Sequence, residues 1–207
     1  MTIVRGGSRP SDSKASRRRR AAIIDATIDL LRIQESSEVS IADIAERAGV
    51  SVATVYNLVG TREQLLAAVL DAYVGRVSET LQADPGTPTG SDPAAVAVAV
   101  VTNTVLVVLA DPVPLRTVLR ELGPLHLADT KGASTGDLLE PALFTSGLDA
   151  DAAAEAARLV NYAFRGALLT WAHGLISDHR FADDLALATR RIVDATVNAY
   201  TGPRHAP

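Results

Sequence analysis

The side chains best placed for recognition chemistry fall between residues 51 and 57, where Ser51, Thr54, Tyr56 and Asn57 offer hydroxyl and amide groups within one short stretch. Groups of this kind near a presented helix face suit hydrogen bonding to a partner. Support for covalent chemistry is thin. The four histidines, His126, His173, His179 and His205, show no H-E-x-x-H spacing, and His173 and His179 are six apart, so they do not share a helix face. Neither G-x-S-x-G nor a glycine-rich phosphate loop occurs. The absence of cysteine excludes disulfides, thiolate metal sites and cysteine nucleophiles. No catalytic residue, metal ligand or cofactor is expected, and an enzyme is the weaker reading.

The elements that must position those groups can be read from residues 40–59, SIADIAERAGVSVATVYNLV. Ser40 with Asp43 is a capping arrangement that opens a helix, and Ile41, Ile44 and Ala45 form its inner face. Gly49 ends that helix, because the residue after a helix end often needs a positive φ. Ser51 then caps a second short helix, Val52 to Leu58. Ile44, Ala45, Val50 and Val55 are apolar where the two helices must touch. This is what a DNA-binding helix-turn-helix requires, with the second helix entering the major groove. An ordinary helical hairpin fits the same pattern, so both remain open at this point.

Around this motif the chain reads as helices throughout. From Arg17, Ile24, Ile28 and Leu31 recur at i, i+4 and i+7 until the polar stretch Gln34 to Glu38. Thr61 with Gln64 starts a long helix to about Leu81. Ala83 to Pro93, with two prolines and two glycines between them, is a linker signal. Five further helices are expected: Pro93 to Ala110, Asp111-Pro112 to about Leu122, Asp137 to about Ser146, a segment capped by Asp149 reaching Ile176, and Asp178 to Tyr200. Gly123 to Gly136 reads as loop. The Val-Ala alternation after Pro93 also matches a strand, but no strand partner or internal repeat emerges. The expected fold is all-α with about nine helices: a basic arm (1–16), a three-helix helix-turn-helix domain (17–64) and a larger helical domain (65–207).

Composition agrees. Hydrophobic residues make up 47% and aromatics only 4%, which favours helices packed through small side chains. Asp25 and Asp29 interrupt any apolar run after the basic start, so a signal peptide is not expected and a cytoplasmic protein is. Pro93 to Ala110 carries no charge and is just long enough to span a bilayer, yet Thr102, Asn103 and Thr104 lie near its middle; it reads as a buried helix, with no membrane partner. The net charge is −4, but residues 1–20 carry seven basic residues against one acid, leaving −10 for the rest. A cationic end on an acidic body fits DNA at one end, and a solvated tail gives the same numbers.

The runs RRRRAAIIDATIDLL and SIADIAERAGVSVATVYNLVGTREQLLAAVLDAY together resemble the N-terminal domain of the tetracycline-repressor (TetR) family. The matching positions are Ile24, Ile44, Ala45, Ala48, Gly49, Val50, Ser51, Thr54, Tyr56, Glu63 and Leu65, over about residues 17–75. Val59 stands where the family usually has an aromatic, Arg62 where it has lysine, and the usual glycine is missing from Gln34 to Glu38.

The resemblance implies a DNA-binding transcription regulator, a repressor released from double-stranded operator DNA by a small, largely apolar effector. It implies that Thr54, Tyr56 and Arg62 hold phosphates, with Ser40 as a further candidate, and that Val52, Ala53 and Asn57 meet base edges: Val52 a thymine methyl, Asn57 an adenine. Arg17 and Arg18, with Arg19 and Arg20, would reach backbone or minor groove. It also implies a homodimer formed by the last two helices, where Ala156, Ala163, Gly166, Ala167 and Gly174 permit close approach and Ile192, Val193 and Val197 are apolar. A ligand cavity would lie among the middle helices, with Asn103, His126, Phe144, Tyr162, Arg165 and Trp171 as candidate lining. A DNA-bound regulator without a ligand is the alternative.

Overall fold

Apolar residues recurring every three and four positions bury best as helix stripes. The computed structural model is helical in every regular element among the residues it describes, which are 14–33, 38–83, 92–123 and 135–201. The helices in chain order are α1 (Lys14–Ile33), α2 (Ile41–Arg47), α3 (Val52–Leu58), α4 (Arg62–Ala83), α5 (Pro93–Ala110), α6 (Pro112–Leu122), α7 (Thr135–Thr145), α8 (Ala150–Ala172) and α9 (Asp178–Thr201). Most of the basic arm, the centre of the 83–93 linker, His126 and most of the 123–136 loop lie outside the described residues.

The chain divides into two compact units, Met1–Val69 and Leu70–Pro207. In the first, α1 packs on both α2 and α3, which also pack on each other. Its core is Ile23, Ile28 and Leu31 from α1, Ile44 from α2, Val55 from α3 and Leu65 from α4. In the second, α8 packs against α7 and α9, α5 lies against α9 and α7, and α6 packs on α8. Trp171, Phe181, Leu119, Leu139, Leu143 and Leu185 are fully buried there.

Two local outcomes bear on the sequence reading. The segment that also matched a strand is the helix α5, because Asp92 accepts from the Ala94 and Ala95 N–H groups at 3.0 and 3.2 Å and Pro93 fits the first turn. α5 is long and apolar enough to cross a membrane; its Val96, Ala97, Val100, Val101, Val105 and Val108 are buried inside the second unit. The other outcome is a correction. α8 stops at Ala172 rather than reaching Ile176. Gly174 has φ +74°, and its N–H donates to the Trp171 carbonyl while the Leu175 N–H donates to that of Thr170. Gly174 is therefore a helix terminator and not a small residue within a packing seam.

Candidate nucleic-acid interface

α2 and α3 are each only seven residues long, too short to persist alone, so caps and packing fix them. Ser40 and Asp43 form a reciprocal box at the start of α2: the Asp43 N–H donates to Ser40 Oγ at 3.2 Å, and the Ser40 N–H donates to Asp43 Oδ2 at 2.9 Å. The hydrogen bonds from the Ser40 side chain and backbone hold the Asp43 carboxyl below the usual carboxylate range. Gly49, with φ +66°, turns the chain out of α2. Space is not the constraint, since a Cβ there would meet nothing within 4 Å. The Val50 N–H then closes the turn on the Ala45 carbonyl at 2.9 Å.

Ser51 caps α3 by accepting from the Thr54 N–H at 3.2 Å, and the Ser51 and Thr54 hydroxyls lie 2.8 Å apart. Val55 is completely buried and turns one side of α3 inward. The opposite side presents Val52, Ala53, Tyr56 and Asn57, spaced i, i+1, i+4 and i+5. Tyr56 is 52% exposed, so it is no part of the core. The structure thus brings Ser51, Val52, Ala53, Thr54, Tyr56 and Asn57 onto one short helix and its cap.

Arg62 sits apart from that face. Its Nη1 donates to the carbonyl of buried Val39 at 2.7 Å, tying the first turn of α4 to the stretch before α2. The start of α4 is capped reciprocally, the Thr61 N–H donating to Gln64 Oε1 at 2.8 Å and the Gln64 N–H to Thr61 Oγ1 at 3.3 Å. Asp29 joins α1 to α2 by accepting from Arg32 and from Arg47, at 2.7 and 3.0 Å. Arg17, Arg18, Arg19 and Arg20 all stand exposed in the opening turns of α1.

Of the six residues suggested for a ligand, the five that are described do not converge. His126 lies outside the described residues. Phe144 and Tyr162 are exposed, Arg165 is half-buried, and Trp171 is fully buried with its indole N–H donating to Asp178 Oδ1 at 2.7 Å. Asn103 alone of these five lines a cleft of about 530 Å³ in the second unit. Its other walls are Tyr73, Arg76, Glu79 and Thr80 on α4, Leu106, Val107 and Ala110 on α5, and Asp111. The Tyr73 hydroxyl donates to Asp111 Oδ2 at 2.8 Å, and the Arg76 guanidinium lies 5.1 Å from the centre of the Tyr73 ring. Sequence reasoning missed these residues. Tyr73 and Arg76 are three apart on a helix and so share a face, but nothing local shows that α5 and Asp111 face them.

Residues 23–69 match the family model of bacterial regulatory proteins, tetR family. The solved structures similar to the chain include a TetR transcriptional regulator from Rhodococcus sp. RHA1, at 19% identity and TM-score 0.61, covering 89% of this chain and 98% of that one. Another is the TetR family repressor AlkX from Dietzia sp. strain DQ12-45-1b, implicated in biodegradation of n-alkanes, at 19% identity and TM-score 0.56, covering 86% and 97%. A third is RolR in complex with resorcinol, at 24% identity and TM-score 0.51, covering 87% and 95%. Among curated proteins nothing matches the chain. The family match lies over the helix-turn-helix built by α2 and α3, so this segment is similar to the N-terminal part of bacterial regulatory proteins of the tetR family, and the chain shares the helical fold of the solved structures along most of its length.

Proposed function

We propose that the protein is a ligand-responsive repressor that binds a near-palindromic operator as a homodimer. The observation that carries the DNA reading is the exposed face of α3, where Val52, Ala53, Tyr56 and Asn57 stand clear of a core that has already taken Val55. Large apolar and aromatic groups held in solvent on a capped, pinned helix are unexplained by folding and fit a groove. Arg17 and Arg18, exposed near the start of α1, supply charge for the phosphate backbone. Thr54, Tyr56 and Ser51 add hydrogen-bonding groups. Arg62, with Nη1 committed to the Val39 carbonyl, is a further candidate for a phosphate contact. Ser40, whose N–H and hydroxyl are both engaged with Asp43, contributes by shaping α2.

The dimer reading rests on α8 and α9. Leu159 and Tyr162 of α8 and Leu187 of α9 are exposed on helices that pack on each other, and Gly166 continues the α8 stripe at i+4 from Tyr162. Ala156 and Val193 are buried within the chain, so they are occupied by intrachain packing. A second copy covering the exposed stripe would give four helices around a two-fold axis.

The cleft walled by α4 and α5 is the proposed effector site. Leu106, Val107, Ala110 and the Tyr73 ring offer apolar surface for the body of a small molecule, and Arg76, Glu79, Thr80, Asn103 and Asp111 add polar groups to its walls. Because RolR has been solved with resorcinol, a protein of this fold can hold a small molecule. Gel shifts with DNA fragments from the neighbourhood of its own gene test the reading. One fragment should be preferred, with half-site centres ~34 Å or a multiple apart. Equal affinity for every fragment would overturn it.

A further inference from the structure

The seven residues of α3, VATVYNL, include no charged side chain. Guanine is most often read in the major groove by Arg or Lys on its O6 and N7 acceptors, and cytosine by a carboxylate on its amino group. α3 has neither. Its hydroxyls are partly spent as well: Ser51 Oγ accepts from the Thr54 N–H, and the two hydroxyls share a further hydrogen bond. What remains pointing outward is mainly apolar. Val52 is 41% exposed and Ala53 is exposed beside it, followed one turn later by Tyr56 and Asn57. The one apolar feature on a base-pair edge in the major groove is the thymine 5-methyl group. Asn57 alone offers an amide, with a donor and an acceptor side by side in the bidentate pair that matches adenine.

Resting on the reading of α3 as the recognition helix, we propose that each operator half-site is recognised through thymine methyl groups seated on Val52 and Ala53, with specificity carried by shape and apolar contact rather than by charge. Burying a methyl against a branched side chain discriminates thymine from cytosine, whose edge has hydrogen at the same carbon. The charge that binding needs comes from α1, where Arg17 to Arg20 are exposed, and it carries no base preference.

The test uses the full-length protein and two steps. Selection from random duplexes first yields the preferred operator. Each thymine of one half-site is then replaced singly by deoxyuridine, which removes the methyl and leaves every hydrogen bond unchanged. At one or two positions the dissociation constant should rise about fourfold, the loss expected for one buried apolar carbon. The Val52→Ala variant should bind the thymine and uridine operators with nearly equal affinity, which ties the effect to that side chain. Restoring a methyl on cytosine at the sensitive position, as 5-methylcytosine paired with guanine, should bind better than cytosine there. A preferred operator whose affinity is unchanged by every uridine, or whose half-site lacks thymine, overturns the methyl reading and leaves α3 as the recognition helix. Failure to select any preferred sequence overturns that underlying reading too.

Discussion

Replacing Asp178 with Ala should cost about 2–3 kcal/mol, because this one carboxylate oxygen serves two partners from different helices. Trp171 on α8 donates its indole N–H to Asp178 Oδ1 at 2.7 Å, and Arg116 on α6 donates Nη2 to the same oxygen at 2.7 Å. Trp171 is completely buried, stacked on Phe181 at 5.3 Å between ring centres, and the Arg116 guanidinium lies 4.5 Å from its own ring centre. The two bonds are unequal in worth. Asp178 is 54% exposed and Arg116 31% exposed in that ion pair, so the charge contribution stays below about 1 kcal/mol. The larger part comes from the indole. A buried N–H left without its acceptor costs about 1–3 kcal/mol, and Trp171 is fully buried.

The assay is built into the chain, which contains a single tryptophan. Urea unfolding followed by Trp171 fluorescence reports the second unit, and thermal unfolding should show a fall of roughly 5–10 °C for a unit of this size. Asp178→Asn keeps an acceptor for the indole and should lose about 1 kcal/mol or less. If Asp178→Ala matched Asp178→Asn within 0.5 kcal/mol, a loss typical of a neutral surface change, the indole bond would not be the dominant effect and the reasoning would fail.

Other consequences can be checked in parallel. Replacing Arg17 and Arg18 together by Gln should weaken binding to all DNA sequences alike and reduce the slope of log K against log salt by up to ~0.9 for each lost phosphate contact, whereas Asn57→Ala should change which operator is preferred and leave that slope intact. Arg62→Lys should retain part of the bond to Val39 and bind DNA better than Arg62→Ala, which should also lower the melting temperature; identical melting temperatures would remove the structural role assigned to that bond. Tyr162→Glu should shift the protein from dimer to monomer in sedimentation velocity, since it places a charge on the exposed α8 stripe without touching the buried core. The folded Asp43 carboxyl titrates below its ordinary value of 3.8, so its contribution to the α2 cap is present above that pH and lost as pH falls through the lower folded value; acid unfolding of the wild type and of Asp43→Ala should converge there.

What was legible in the sequence was local. Ser40 with Asp43, Gly49, Ser51, Thr61 with Gln64, Asp92 before Pro93, and Asp149 are caps and stops whose effect lies within four residues, and each sits at a helix boundary in the structure. The face of α3 was legible for the same reason, because one buried valine at position 55 fixes which residues point away. The place where the reading of α8 failed is also local. As a small residue Gly174 reads as a packing position, but its φ of +74° shows that the chain needs it to leave the helix. Contacts between distant helices were not legible. Tyr73 and Asp111 are 38 residues apart, and their hydrogen bond joins α4 to the residue after α5 across a stretch with no periodic signal. Trp171 shows the reverse problem: an aromatic among candidates for ligand contact is fully engaged by Asp178, Arg116 and Phe181.

On the proposed reading, the cleft beside Tyr73 would act on DNA binding through the helix that forms one of its walls. α4 runs 22 residues, about 33 Å of continuous helix at ~1.5 Å per residue, and it begins four residues after the last residue of α3. Tyr73, Arg76, Glu79 and Thr80 occupy its later turns. An effector that prefers one position of α4 would bias the spacing of the two recognition helices in a dimer. Such an effector can release DNA only by as much as it discriminates between the two arrangements, so hundredfold release requires a hundredfold preference, about 2.7 kcal/mol. Linkage then makes operator DNA weaken effector binding by the same factor. Filling the cleft separates this route from others. Leu106 is 61% exposed, so Leu106→Trp adds bulk there without disturbing the core, and it should lower effector affinity while leaving operator affinity in the absence of effector unchanged. Calorimetric titration of one inducing molecule with and without operator measures both quantities. Equal effector affinity in the two titrations, or a Leu106→Trp protein that responds to the inducer as the wild type does, would show that release does not pass through this cleft.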